Sequence, residues 1–112
     1  MIRIKRAYEA ASEDDGSRVL VDRLWPRGVV KADARISWWA KELAPSSELR
    51  RWFGHDPERF EEFTRRYREE LSDKTELDAL RRLARERTVT LVYGARDREH
   101  NNAVVLRALL VE

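Results

Sequence analysis

Two apolar runs in this chain end abruptly in charged, aromatic and amide side chains. Val19-Leu20-Val21 runs into Asp22-Arg23-Leu24-Trp25-Pro26-Arg27-Gly28, and Thr88-Val89-Thr90-Leu91-Val92-Tyr93 runs into Gly94-Ala95-Arg96-Asp97-Arg98-Glu99-His100-Asn101-Asn102. The guanidinium groups of Arg23 and Arg27 suit a phosphate or carboxylate, because a fork of N–H donors matches two oxygens of an oxyanion. In that reading Asp22 orients the arginines, Trp25 stacks on a planar group such as a base, and Tyr93 and Asn101 hydrogen-bond the ligand. The alternative is purely structural: Asp22 forms an ion pair, with Arg6 or Arg27, that pins the turn after a buried strand. Either way a partly buried carboxylate needs a partner.

Catalytic candidates are sparser. Asp22 and His100 are the two groups that could activate a water for hydrolysis or group transfer, His100 with Asp97 beside it as a general base. His100 is expected in the first turn of a helix, where the dipole favours the neutral imidazole. No serine or cysteine nucleophile pairs with it. A metal is not expected, since Asp97 and His100 lack a third ligand. The chain has no cysteine, so thiol chemistry and disulfides are excluded. Neither a Walker loop nor a G-x-G-x-x-G string is present, so no cofactor is called for. His55, just before Asp56, reads as local structure, and Lys41-Glu42 as a surface pair with a lesser claim on the site.

The elements that must position these groups follow from periodicity and punctuation. Ile2-Arg3-Ile4-Lys5-Arg6 alternates apolar and basic residues and reads as a strand with one buried face. Glu13 to Ser17 is a polar turn with Gly16 free to take a positive φ. Arg18 to Asp22 is a strand buried on both faces, as in a parallel sheet. From Lys31 to Leu43 the spacing predicts a short helix, with Asp33 as N-cap and Ile36, Trp39, Ala40 and Leu43 on one face. A second short helix is capped by Ser46 or Ser47 and stopped by Gly54. Asp56-Pro57-Glu58 is a strong helix start, and Phe60, Phe63, Tyr67 and Leu71 then form a stripe. Thr75 and Asp78 resemble a capping box before Leu77, Leu80, Leu83 and Ala84. Thr88 to Val92 is the third strand. Glu99 to Leu110 is the last helix, with Ala103, Val105, Leu106, Leu109 and Leu110 as its apolar side.

Strands separated by helices give an α/β class: a small, mainly parallel sheet covered by helices, in a single three-layer-like domain over residues 1–112. Ligands in such sheets bind beyond the carboxyl ends of the strands, near helix N-termini. The exits after Arg6, Val21 and Tyr93 therefore converge on one hollow. The four tryptophans mostly serve core packing, with Trp25 the exception beside its proline.

Of 112 residues, 39% are charged, yet the net charge is only +2. Mixed signs on helical faces argue against a lopsided field for non-specific nucleic-acid binding. No apolar run approaches the roughly 20 residues of a membrane span, and Met1 to Arg6 lacks a secretory pattern, so the expected location is the cytoplasm.

The strings Val-Leu-Val-Asp-Arg-Leu-Trp-Pro-Arg-Gly (19 to 28), Lys-Glu-Leu-Ala-Pro-Ser (41 to 46), Leu-Arg-Arg-Trp-Phe-Gly-His-Asp-Pro (49 to 57), Phe-Thr-Arg-Arg-Tyr-Arg-Glu-Glu-Leu (63 to 71) and the block from Val89 to Leu106 resemble the YeaO-like family. That family is a branch of a bacterial domain-of-unknown-function superfamily. The resemblance covers nearly the whole chain. It implies a small cytoplasmic α/β protein and no established activity. It also marks Asp22, Arg23, Trp25, Pro26, Arg27, Gly28, Lys41, Glu42, Ser46, Tyr93 and Asn101 as positions of the family pattern. Ser37 departs from it, standing where an acidic residue often occurs. The leading expectation is a site for an anionic small molecule, phosphate- or nucleotide-like, at the C-terminal ends of the strands. The alternative is a nucleic-acid or protein interaction module without catalysis. No helix-turn-helix pattern supports the latter.

Overall fold

The last strand in the sequence lies between the first two in space. In the computed structural model, which describes residues 1–112, the strands are β1 (Ile2–Arg6), β2 (Ser17–Leu20), β3 (Trp38–Trp39) and β4 (Val89–Tyr93), in the order β1-β4-β2-β3. Every pairing is parallel, with Leu91 facing both Ile4 and Val19 across the ladder. All five residues of β4 are buried, as its central place and β-branched composition require. The helices are α1 (Lys31–Ala34), α2 (Ser47–Phe53), α3 (Phe60–Leu71), α4 (Thr75–Glu86) and α5 (Asn102–Leu110).

The period of two along the strands divides the core. Val19, Val21, Val89, Leu91 and Tyr93 point to one side, where they meet Leu49 and Phe53 of α2, Phe63, Tyr67 and Leu71 of α3, Leu77 and Leu80 of α4, and Ala103, Val105 and Leu106 of α5. Leu20 and Val92 point to the other side, which is covered by irregular chain carrying Ala7, Trp25, Val29, Ile36 and Trp39. The α/β class with a parallel, helix-covered sheet is thus observed. The expected stripe on α3 is also present, with stacked Phe53 and Phe63 rings 4.3 Å apart adding to the area buried.

Local signals hold where the chemistry is local. Ser46 caps α2, accepting from the Leu49 N–H at 3.1 Å, while Glu70 of α3 accepts from the Ser46 N–H and hydroxyl at 2.8 and 2.6 Å. Gly54 closes α2. Asp56 and Pro57 open the next segment as a turn of 3-10 helix that leads into α3.

The segment from Lys31 to Leu43 corrects the sequence reading. Instead of one helix it forms the single turn α1, the short strand β3 and a 3-10 turn at Lys41–Leu43. Val30, not Asp33, occupies the N-cap position of α1. Arg35 takes a left-handed conformation, φ 50° and ψ 43°, which ends the helix. The chain then pairs with the exposed edge of β2: the Ser37 and Ala40 N–H groups donate to the Arg18 and Leu20 carbonyls, each at 2.9 Å. Ladder bonds and two indoles packed on opposite faces outweigh one amphipathic turn. A pattern at helical spacing had placed Trp39 with Ala40; the strand sends Trp38 to the main core and Trp39 to the other side. The expected capping box before α4 is absent too. Lys74 is the N-cap residue and no side chain caps that end.

Candidate functional site

The carboxyl ends of the strands open into a cavity of about 790 Å³. Tyr8 follows β1, Asp22 to Arg27 follow β2, Pro45 follows β3, and Gly94 to Asp97 follow β4; all line it, together with Asn101 and Asn102 at the start of α5. Arg50 and Phe53 of α2, His55 after it, and Phe63 of α3 complete the wall. Parallel strands deliver their exits to one edge of the sheet, so segments 70 residues apart share this hollow.

Asp22 joins the exits. Its Oδ2 accepts from the Gly94 N–H at 2.8 Å, and its Oδ1 accepts from Asn102 Nδ2 at 3.1 Å. The same Asn102 nitrogen donates to the Val21 carbonyl at 2.8 Å. A Cβ on residue 94 would stand 3.1 Å from Asp22 Oδ2, so glycine permits the approach of the carboxylate. Burial pushes the Asp22 carboxyl above its ordinary range, against the Asn102 and Gly94 hydrogen bonds and the charges of His55 and Arg50. These contacts correct the sequence reading: Asp22 makes no ion pair with Arg6, Arg23 or Arg27, and it orients neither arginine. It is a clasp between β2, β4 and α5. Asp22→Ala should therefore cost about 1–3 kcal/mol, the penalty for stripping partners from two donors, as read by urea denaturation. Because the folded state disfavours the charged form, the Asp22 contribution is fullest below the ordinary value of 3.8 and falls as pH rises through the raised folded value. The cost of Asp22→Ala should shrink across that rise.

The four cavity arginines differ in their ties. Arg23 donates from Nε to the Pro45 carbonyl at 3.2 Å and reaches toward the Ala44 carbonyl at 3.5 Å. The guanidinium groups of Arg27, Arg50 and Arg96 have neither an ion pair nor a hydrogen bond within the chain. Elsewhere some arginines are matched to carboxylates, as Arg65 and Arg66 are to Glu62 and Arg68 is to Glu112, while Arg6 and Arg87 bond only to a carbonyl and a hydroxyl. Trp25 lines the cavity, but its indole N–H donates to the Val29 carbonyl at 2.8 Å and its ring meets Trp39 edge-on at 5.4 Å. Asn101 lines it with both ends of its amide engaged: Oδ1 caps α5 through the Val104 N–H and Nδ2 donates to the Asp97 carbonyl. Tyr93 is 2% exposed and packs in the main core, outside the lining.

His100 is also outside the lining. It precedes the N-cap Asn101 and is not in the first turn of α5, which begins at Asn102. Asp97 accepts from the Glu99 and His100 N–H groups, and its second oxygen lies 2.9 Å from His100 Nδ1. Those backbone donors and the imidazole hold the Asp97 carboxyl below its usual range. The His100 ring stands edge-on to Phe60 at 5.1 Å. The pair is a folded turn set against α3. His55, read as local structure, instead reaches the cavity, because Gly54 and His55 both take left-handed backbone, φ 55° and 57°. Arg50 shares the same face of α2 as Phe53, three residues on, a spacing that could have pointed to it. Lys41 and Glu42 are not in the lining.

The chain is similar over nearly its whole length to known proteins. Residues 1–112 match the family model DUF488-N3i, described as the inactive DUF488-N3 subclade. An uncharacterized protein of Mycobacterium tuberculosis is 50% identical over 109 residues, covering 97% of this chain and 92% of the relative; one of Mycobacterium bovis matches to the same extent. The uncharacterized protein YeaO of Escherichia coli is 41% identical over 106 residues, covering 94% of this chain and 92% of its own length. No solved structure matches. No helix is long and apolar enough to cross a membrane.

Proposed function

The chain belongs to the inactive DUF488-N3 subclade, and from that premise we propose that its cavity binds an anionic small molecule, phosphate- or nucleotide-like, without turning it over. The observation that carries this reading is the convergence of Arg23, Arg27, Arg50 and Arg96 on one hollow at the strand ends, none of them ion-paired to a carboxylate and only Arg23 tied to backbone carbonyls. An oxyanion supplies the missing partner, and bidentate charge-assisted hydrogen bonds make guanidinium the fitting donor. The word inactive in the family description favours binding over catalysis. So do the engagement of both Asp22 oxygens in the clasp and the position of His100 outside the lining. In this proposal the protein acts in the bacterial cytoplasm.

Thermal unfolding in the presence of inorganic phosphate and pyrophosphate tests the reading. A ligand at about a hundredfold excess over its Kd adds about 2.7 kcal/mol to the folded state, a rise of several degrees in Tm for a domain of this size. The double variant Arg27→Ala/Arg50→Ala should melt close to the wild type alone and lose the anion-dependent rise. Absence of any rise with either anion rejects the reading. Tight binding of duplex DNA or RNA that falls steeply with salt and needs the same arginines would replace it with the interaction-module alternative.

A further inference from the structure

Two large apolar side chains at the cavity are left exposed, and the fold gives no reason for it. Tyr8 is 50% exposed and Leu24 61% exposed, and both line the hollow that holds the arginines. Tyr8 is nevertheless held in place. Its hydroxyl donates to the Arg27 carbonyl at 2.9 Å, and the Arg6 guanidinium lies over one face of its ring, 5.0 Å from the centroid. Arg6 is itself fixed, donating from Nε to the Ala95 carbonyl at 2.8 Å. A ring braced at its tip and on one face presents its other face as a ready platform. Trp25, the stacking residue that the sequence suggests, is spent on Val29 and Trp39. The cavity volume of about 790 Å³ lies in the range of pockets for organic ligands, about 300–1,000 Å³, well beyond the need of a bare inorganic anion.

We infer that the ligand class is a phosphate monoester carrying a planar ring, with the ring seated on Tyr8 against Leu24 and the phosphate held by the arginines. This rests on the anion-site reading above and names the part of the molecule that reading leaves open. Tyr8 is the residue that selects the organic body; the arginines hold any phosphate alike.

The test compares phenyl phosphate with inorganic phosphate by isothermal titration on the wild type, Tyr8→Ala and Tyr8→Phe. The wild type should bind phenyl phosphate at least about fivefold more tightly than inorganic phosphate, the low end of what one stacked ring supplies. Tyr8→Ala should bring that ratio toward unity, since any effect of losing the Tyr8 bond to the Arg27 carbonyl falls on both probes alike. Tyr8→Phe keeps the ring and should keep the preference. If Tyr8→Ala fails to fold, Tyr8→Leu fills the space without a π face and serves in its place. Equal binding of the two probes by the wild type overturns the inference while the anion site stands. So does a preference that survives in Tyr8→Ala, or one that Tyr8→Phe loses as fully as Tyr8→Ala does. If neither probe binds, the anion-site reading fails and takes this inference with it.

Discussion

Asp15→Ala should cost about 3–5 kcal/mol of folding stability, the range for removing one partner of a buried ion pair. The side chain is 0% exposed and Arg18 is 3% exposed. Arg18 Nη1 donates to Asp15 Oδ2 at 2.6 Å, and Lys5 Nζ stands 3.1 Å from Oδ1. The Ser12 N–H donates to Oδ2 at 3.0 Å, and Arg18 Nε donates to the Ala34 carbonyl at 2.7 Å. Thr90 of β4 adds a bond from its hydroxyl to the Asp15 carbonyl at 2.7 Å. This network lies on the side of the sheet away from α2 to α5, where irregular chain covers the strands. Alanine at position 15 would strand Arg18 with its charge buried and unmatched. Chemical denaturation at neutral pH measures the loss, and a cost under about 1 kcal/mol, typical of exposed pairs, would show that the pair is solvated. Burial would raise the Asp15 carboxyl, but the Ser12 N–H, Lys5 and Arg18 together hold it below its usual range. Its stabilisation is therefore complete above the unfolded value of 3.8 and is lost as pH falls through the lower folded value. Asp15→Asn should flatten the acid limb of the stability profile.

Gly16→Ala is expected to be comparably severe. Gly16 has φ 63°, and a Cβ there would lie 2.1 Å from the Thr88 carbonyl oxygen. That oxygen accepts from the Ser17 N–H at 3.0 Å, the bond next to the first pairing of β2 with β4. The methyl group cannot swing aside, and the atom it meets is backbone. Left-handed strain and overpacking each cost about 1–3 kcal/mol, so the substitution should remove several kcal/mol or shift the start of β2. Thermal unfolding and the amide exchange of Ser17 and Val19 would report it. Unchanged stability with native exchange rates would mean that the turn rearranges freely.

The site was legible in part. The exits of β2 and β4, with Arg23, Arg27 and Asn101, stood out because apolar runs broke into charged and amide residues. Their convergence needed only parallel strands. The partners of Asp22 were not legible: Gly94 and Asn102 lie more than 70 residues away, and no local signal distinguishes an amide clasp from an arginine pair. His55 looked like part of a helix start because Asp56 and Pro57 follow it, and only the left-handed turn at Gly54 and His55 carries it to the cavity. Tyr8 gave no signal at all beyond a lone aromatic after a strand.

What the amino-acid order determined by itself is the set of features governed by neighbours along the chain: β1, β2 and β4 as strands, the Ser46 cap, the stop at Gly54, the Asp56-Pro57 start and the apolar stripe of α3. These depend on backbone geometry and side-chain spacing within a turn or two. Tertiary structure decided β3, the buried charge of Asp15 and the occupants of the cavity wall. Trp38 and Trp39 became a strand because β2 had an open edge, and Asp15 could be buried because Lys5 of β1 and Arg18 of β2, the strands on either side of β4, both reach it. Hydrogen-bond and charge partners of that kind are fixed only when distant segments meet, so the energy that selects them does not exist until the chain has folded.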